Sequence, residues 1–398
     1  MGSKALVTVI ILLVVIIGAG FIASRLNIPS GEQPQEEKYL VITKAIHIYK
    51  DYVLDRDVLF KGSGAAFIIH SNVVFDGNGH KIIGENLTYE SQNGISVENI
   101  YNVVVKNVDI VGIYMHAIII QNAANVTIIN NYIHDPVDPE TFKKVLEGKY
   151  EVGWGITVRD SGDSLDPKDA VVIANNTITR FSEGIHAAYN GRALLVANNT
   201  VFDCVGQQMK FCMTNDGCRV INNTMIGGVI GLFVTNDQDN LLIEGNTFVN
   251  NEGIYLRNPT STGNRIIGNR FYNSNPSIKI EDSDENTIEY NEFYSCSTRA
   301  IRLKSTTRNK VHHNVIKNSS TGIALEIYES VPPTNNEIYN NEIAGCGIGI
   351  LLEGAESNEI HTNLIANSTQ YGISIQDGSR NNTVHGNVVY GSGVSDLF

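Results

Sequence analysis

Short runs of Ile, Val and Leu alternating with polar residues recur along the chain, many of them opening on a glycine, as in Gly94-Ile95-Ser96-Val97, Gly253-Ile254-Tyr255-Leu256 and Gly372-Ile373-Ser374-Ile375. Alternation at period two marks a strand with one buried face, and no heptad, leucine-rich or helix-pair pattern competes with it. An asparagine punctuates these runs at Asn107, Asn131, Asn176, Asn199, Asn223, Asn246, Asn269, Asn291, Asn314, Asn341, Asn363 and Asn387. Ten of the eleven intervals span 22 to 27 residues and one spans 45. Repetition at a fixed period implies stacked units. Three short strands per unit predict an all-β fold, a single-stranded right-handed parallel β-helix of about 12–13 coils, over residues 46–398. Coils then stand roughly 4.8 Å apart. Stacked asparagine amides pair along such a rod and tolerate a left-handed bend, so this series is structural.

Composition agrees with one elongated domain: 398 residues, 36 glycines, one tryptophan and 18% charged residues. The N-terminus stands apart, because Ala5 to Ala23 is an unbroken apolar run of 19 residues after Lys4, long enough to span a bilayer. Residues 1–26 are expected to be a transmembrane anchor with the rod outside the cytoplasm, or a cleaved signal segment given the small residues Gly18, Ala19, Gly20 and Ala23. Residues 27–45 read as a linker. Eight glycosylation acceptor patterns, such as those at Asn86 and Asn125, are compatible with export. Cys204, Cys296 and Cys346 each follow a ladder asparagine by five residues, where other coils place Gly228, Ser274, Ser319, Ser368 and Ser392. They occupy a small-residue turn column, which leaves Cys212 and Cys218 as the one pair with disulfide potential.

The segments YVLDRDVL at 52–59 and AFIIHSNVVFDGNGHKIIG at 66–84 resemble the opening coils of the superfamily of carbohydrate-binding and sugar-hydrolase β-helices, which includes NosD-like copper-maturation proteins and relatives of pectate lyases and alginate epimerases. The resemblance covers roughly residues 50 to 395 and implies the fold; one fold hosts many activities. The paired aspartates of polygalacturonases are missing. Ile133-His134-Asp135-Pro136 has the composition of an alginate epimerase Asp-Pro-His in another order, so no residue is carried over from it.

Geometry therefore carries the functional reading. The 45-residue interval expands two loops, 136–153 and 160–168, on either side of the strand 155–159, which predicts a walled cleft. With Ile156 and Val158 inward, Thr157 and Arg159 face out, followed on later coils by His186, Lys210, Phe233, Tyr255 with Arg257, Lys279 with Glu281, and Arg302 with Lys304. Six Lys or Arg stand against the single carboxylate Glu281, on a chain of net charge −13. A positive groove on an acidic, exported protein suggests an anionic polysaccharide and argues against nucleic acid. Long charged side chains solvating a sheet would give the same stripe.

Removing the C5 proton of a uronate needs a cation on the sugar carboxylate, a base and an acid. By residue type, Arg159 and Arg257 are neutralisers, His186 or Lys210 the base, with neighbouring cations depressing the lysine, and Tyr255 or Tyr189 the acid. Trp154, Phe233, Lys279 and Arg302 are candidates for binding sugar. Asp160 and Asp163, with Asp166, offer oxygen ligands for calcium, and these carboxylates with Asp135 and Asp138 keep glycoside hydrolysis open. Met209, Cys212, Met213, Cys218 and Met225 concentrate soft ligands suited to Cu(I). A non-catalytic rod that binds surface glycans is the third reading.

Overall fold

A computed structural model of the protein describes residues 38–85, 92–149, 152–162, 167–188, 193–213, 216–236, 238–257 and 262–397. The expected anchor, residues 1–26, lies outside them, as do Asp163, Asp166 and Tyr189. Among the described residues no helix is long and apolar enough to cross a membrane.

Residues from Tyr39 onward wind as a right-handed parallel β-solenoid of about 14 turns, slightly more than the periodicity predicts. Among the described residues, strands pair in parallel with their equivalents in the adjacent coils, giving three sheets of 15, 15 and 14 strands. Sheet 1 contains Asp109–Val111, sheet 2 contains Trp154–Arg159 and sheet 3 contains Val171–Ala174. The rod starts earlier than expected, since Tyr39–Ile42, within the expected linker, already pairs with Asp57–Phe60. Among the described residues, one short α-helix, α1 (Pro139–Leu146), and a 3-10 turn at Pro167–Asp169 interrupt the strands.

The core runs the length of the rod, filled by the inward residues of all three sheets, with Phe248, Phe271 and Phe293 stacked at 4.8 Å centroid spacing. That spacing is the coil repeat itself. Glycine before the inward isoleucine in sheet 2 has a steric cause: a Cβ on Gly155 would stand 2.5 Å from Gly184 O and 2.6 Å from Ile178 Cγ2.

The asparagine ladder sits at the bend from sheet 3 to sheet 1. From Asn176 to Asn387 each side chain accepts from the preceding asparagine's backbone N–H and amide at 2.8 to 3.1 Å. Asn107 is not a rung, because Val108 holds that place and donates to Asn131 Oδ1. A second ladder, Asn264, Asn286, Asn309, Asn336, Asn358 and Asn382, occupies the bend from sheet 2 to sheet 3. Cys204, Cys296 and Cys346 fill the third bend, fully buried, and none of the five cysteines is in a disulfide.

Candidate functional site

Sheet 2 holds the predicted stripe in strict register. Thr157, His186, Lys210, Phe233, Tyr255, Lys279 and Arg302 stand directly above one another, and Arg159, Cys212, Thr235, Arg257, Glu281 and Lys304 belong to the neighbouring outward column. A third column, made by the first residue of these strands, just before a Gly or Ala, escaped the alternation argument. It carries Trp154, Glu183, Glu252 and Arg299.

The expected excess of cations over a lone carboxylate is thereby corrected. From Trp154 through Glu326, seven Lys and Arg face four carboxylates, Glu183, Glu252, Glu281 and Glu326, a net +3. Like charges stacked at the coil spacing would repel, and buried carboxylates between them relieve this. Glu281, with 3% of its side chain exposed, lies 2.9 Å from Lys279, 3.5 Å from Arg257 and 3.7 Å from Lys304. Glu326 binds Arg299 and Arg302.

Near Trp154, Glu183 organises a compact group. Its carboxylate accepts from His186 Nδ1 and, at 2.9 Å, from Lys210 Nζ. The immediate partner of Lys210 is thus an anion rather than the cation expected. With Nδ1–H committed, His186 Nε2 faces the Cys212 thiol at 3.8 Å. Trp154 meets His186 edge-on at 5.6 Å, stacks on His116 at 5.0 Å and lies 5.9 Å from the Arg159 guanidinium. His116, which sequence reasoning passed over, bonds Thr157 Oγ1 at 2.8 Å. Burial, then the charges of Arg159 and His186, lower His116 to about 4, so it is a neutral imidazole at pH 7.

Residues 136–149 and 152–153, the described part of the first expected loop, include helix α1. Asp138 caps α1 by accepting from the N–H groups of Glu140 and Thr141, and Val137, Phe142, Val145 and Val152 pack on Tyr114 and Val205. Arg180 pins α1, its guanidinium 5.8 Å from the Phe142 ring and paired with Asp135. Asp135 and Asp109 in turn bind His134, which accounts for the Ile-His-Asp-Pro segment.

Tyr255 lies two coils from Lys210, with Phe233 between them, roughly 10 Å by the strand spacing. It belongs to a second group, with Lys279 Nζ 3.9 Å from its ring, and Phe233 stands 5.2 Å from it. Asp160 sits at the bend column with Asn99 and Asn122, all left-handed, on the rim of a shallow depression of about 280 Å³. Of the soft ligands, Met209, Met225 and Cys218 are core residues, whereas Cys212 lies on the site face and Met213 is exposed just beyond it.

Burial would raise the Glu183 and Glu281 carboxyls, but bonds from His186 and Lys210 to the first, and from Lys279 with the charge of Lys304 to the second, outweigh it and hold both below the ordinary 4.5. A carboxyl lowered in the folded state stabilises it fully above its unfolded pKa and loses that contribution as pH falls through the folded value. The melting temperature is therefore expected to be level above about pH 5 and to fall below it, with a shallower fall in Glu281→Gln. An equal fall in the variant would show that these pairs do not couple to folding.

The model of one protein family, described as periplasmic copper-binding protein (NosD), matches residues 147–331 and 258–395, together 249 of the 398 residues. No curated protein matches the sequence. Among solved structures, the pre-mature gene product 12 of bacteriophage phi29 is 13% identical with a TM-score of 0.55; the alignment covers 90% of this chain and 53% of that one. The A-module of the mannuronan C-5 epimerase AlgE6 from Azotobacter vinelandii is 14% identical over 89% of this chain and 91% of that one, with a TM-score of 0.47. The periplasmic alginate epimerase AlgG is 15% identical over 85% and 78%, with a TM-score of 0.45. At these identities the likeness concerns the fold alone.

Proposed function

This chain belongs to the NosD family, and from the charge and aromatic pattern of sheet 2 we propose that it is an extracytoplasmic protein that binds an acidic polysaccharide along that sheet. The observation that carries the reading is the in-register strip of net +3 on a chain of net −13, with Trp154, Phe233 and Tyr255 as ring platforms. A linear polyanion lying along the rod meets a new coil about every 4.8 Å, so a one-dimensional ladder of cations suits it better than a compact ligand. Residues 1–26 would hold the rod to the membrane.

The Glu183 group supports uronate chemistry, as a lyase or C5-epimerase. Glu183 fixes the imidazole so that His186 Nε2 carries the lone pair, the arrangement of an oriented general base. In a lyase, His186 takes the C5 proton, the C5–H electron pair becomes the C4–C5 double bond, and the C4 oxygen leaves with a proton from the Lys210 ammonium. In an epimerase His186 keeps the C5 proton, to be lost to solvent, and a different proton reaches the opposite face of C5 from a second acid, the role given to Tyr255 or Tyr189. Arg159 neutralises the sugar carboxylate in either case. Asp160 remains the described candidate for a calcium ligand.

One observation favours a second reading, copper handling. Cys212 Sγ and His186 Nε2 face each other at 3.8 Å, a thiol and an imidazole of the kind Cu(I) accepts, and Met213 is exposed beside them. That donor set fits Cu(I), with Cys212 and His186 as its holders, although burial raises the Cys212 thiol despite the opposing charges of Lys210 and Arg159.

Both readings meet in one experiment on the chain without its first 30 residues. Uronate polymers are expected to bind, with affinity falling as salt rises and by about tenfold or more in Lys210→Ala, a loss of about 1.4 kcal/mol. Neutral glycans should bind more weakly. A lyase yields ultraviolet-absorbing unsaturated products; an epimerase exchanges solvent deuterium into C5. Absence of uronate binding together with stoichiometric Cu(I) uptake, lost in Cys212→Ala, would replace the glycan reading by the copper one.

A further inference from the structure

Sheet 3 presents a second chemical feature, near the C-terminal end and independent of the sheet 2 site. His312, Tyr339, His361 and His385 occupy one outward column in consecutive coils. Their rings stack at centroid distances of 4.7, 5.2 and 5.2 Å, the last two pairs within 6° of parallel. Two residues earlier in the same strands stand Lys310, Glu337, Glu359 and Thr383.

The two columns interlock so that each carboxylate meets an imidazole of the next coil. His361 Nε2 is 3.3 Å from Glu337 Oε1, and His385 Nε2 is 3.1 Å from Glu359 Oε1. Single ligand atoms of Glu337, Glu359 and His361 all fall within 4.8 Å of one another. His361 Nδ1 lies 3.1 Å from Thr362 Oγ1. An outer hydrogen bond of this kind fixes the orientation of a metal-binding imidazole and leaves the other nitrogen for the ion. The ring stack restrains the same side chain from both faces. Glu337 also has Lys310 Nζ at 3.8 Å from its second oxygen, which leaves Oε1 as its inward ligand atom.

We propose that Glu337, Glu359, His361 and His385 form a binding site for a divalent transition cation of the zinc type. Mixed imidazole and carboxylate donors suit such an ion, whereas calcium and magnesium take oxygen ligands. Donors about 2.0–2.2 Å from a tetrahedral ion stand roughly 3.3–3.5 Å apart, close to the two nitrogen–oxygen distances. The Glu337–Glu359 separation closes by rotation of Glu359, 51% exposed, and the 5.2 Å between the His361 and His385 rings by tilting of His385, 56% exposed. Two carboxylates neutralise a 2+ ion bound by neutral imidazoles. Because these residues come from three successive coils, the ion would clip together three turns of the rod.

The test uses the full chain, stripped with a chelator and titrated with Zn²⁺ by calorimetry. One ion per chain is expected, with a higher melting temperature in its presence. Affinity should fall at least about 100-fold in His361→Ala and in Glu359→Gln, since even the outer partners of metal ligands are worth about 10- to 100-fold. Cys212→Ser should bind Zn²⁺ as the parent does. Co²⁺ in the same site should give weak visible bands without an intense thiolate band. No saturable Zn²⁺ uptake, uptake unchanged in the folded Glu359→Gln protein, or a thiolate band would overturn the proposal.

Discussion

Asn223→Ala is expected to destabilise the rod by about 3–5 kcal/mol, the combined effect of several orphaned buried groups at about 1–3 kcal/mol each. Asn223 Oδ1 accepts from the backbone N–H and the amide of Asn199, both at 2.9 Å, and its own amide donates to Val196 O and Asn246 Oδ1. Alanine removes those partners where water does not reach, since Asn223 is 1% exposed. Backbone strain does not enter, because the left-handed residue at this bend is Asn222. Glu244→Ala, at an exposed strand end one coil further on, should change stability by less than about 0.5 kcal/mol. Guanidinium unfolding followed by circular dichroism and by Trp154 fluorescence would measure both. Two probes are needed because stacked repeats can lose two-state behaviour. A loss below about 1 kcal/mol would mean that the ladder is replaceable by backbone pairing alone.

The same ladder shows why the fold was legible and where legibility stopped. A buried amide that must bond to its copy one coil away leaves an asparagine at fixed spacing, so the period and the three-sided coil follow from sequence. The second ladder, Asn264 to Asn382, has the same signal and was overlooked because it is present in only half of the rod. Asn107 was misassigned because a left-handed bend residue and a rung are adjacent and both favour asparagine.

The site was half legible for a related reason. Alternation placed His186, Lys210, Tyr255 and Arg302 on one sheet correctly, since each stands between two inward apolar residues, Met209 and Phe211 in the case of Lys210. It could not show that the residue before glycine also faces out, and so missed Glu183 and Glu252. Lys210 and Tyr255, 45 residues apart, stand two coils apart as the alternation places them, with Phe233 between. Helix α1 was legible only afterwards, in Asp138-Pro139, a capping residue followed by a proline in the first turn.

Glu183→Gln should separate a catalyst from a passive glycan binder. The substitution keeps the side-chain shape and removes one negative charge from beneath His186 and Lys210, where only 8% of the Glu183 side chain is exposed. A polyanion then meets a face with one more net positive charge. Affinity at low salt should stay level or rise about two- to fivefold, the size of an exposed ion pair. Turnover should move the other way. Without the carboxylate, His186 loses the partner that holds its tautomer and steadies its protonated form, and oriented acid–base groups are worth about 10²- to 10⁴-fold. An unchanged circular dichroism spectrum would confirm that the rod is intact. Tighter uronate binding with turnover reduced 100-fold or more would identify Glu183 as the positioning residue of a uronate lyase or epimerase, and restoring the charge with Glu183→Asp should recover part of the rate. If the parent protein shows neither unsaturated products nor deuterium exchange, and Glu183→Gln only tightens binding, the sheet 2 strip is a docking surface for acidic glycan and its buried carboxylates serve to keep stacked cations together.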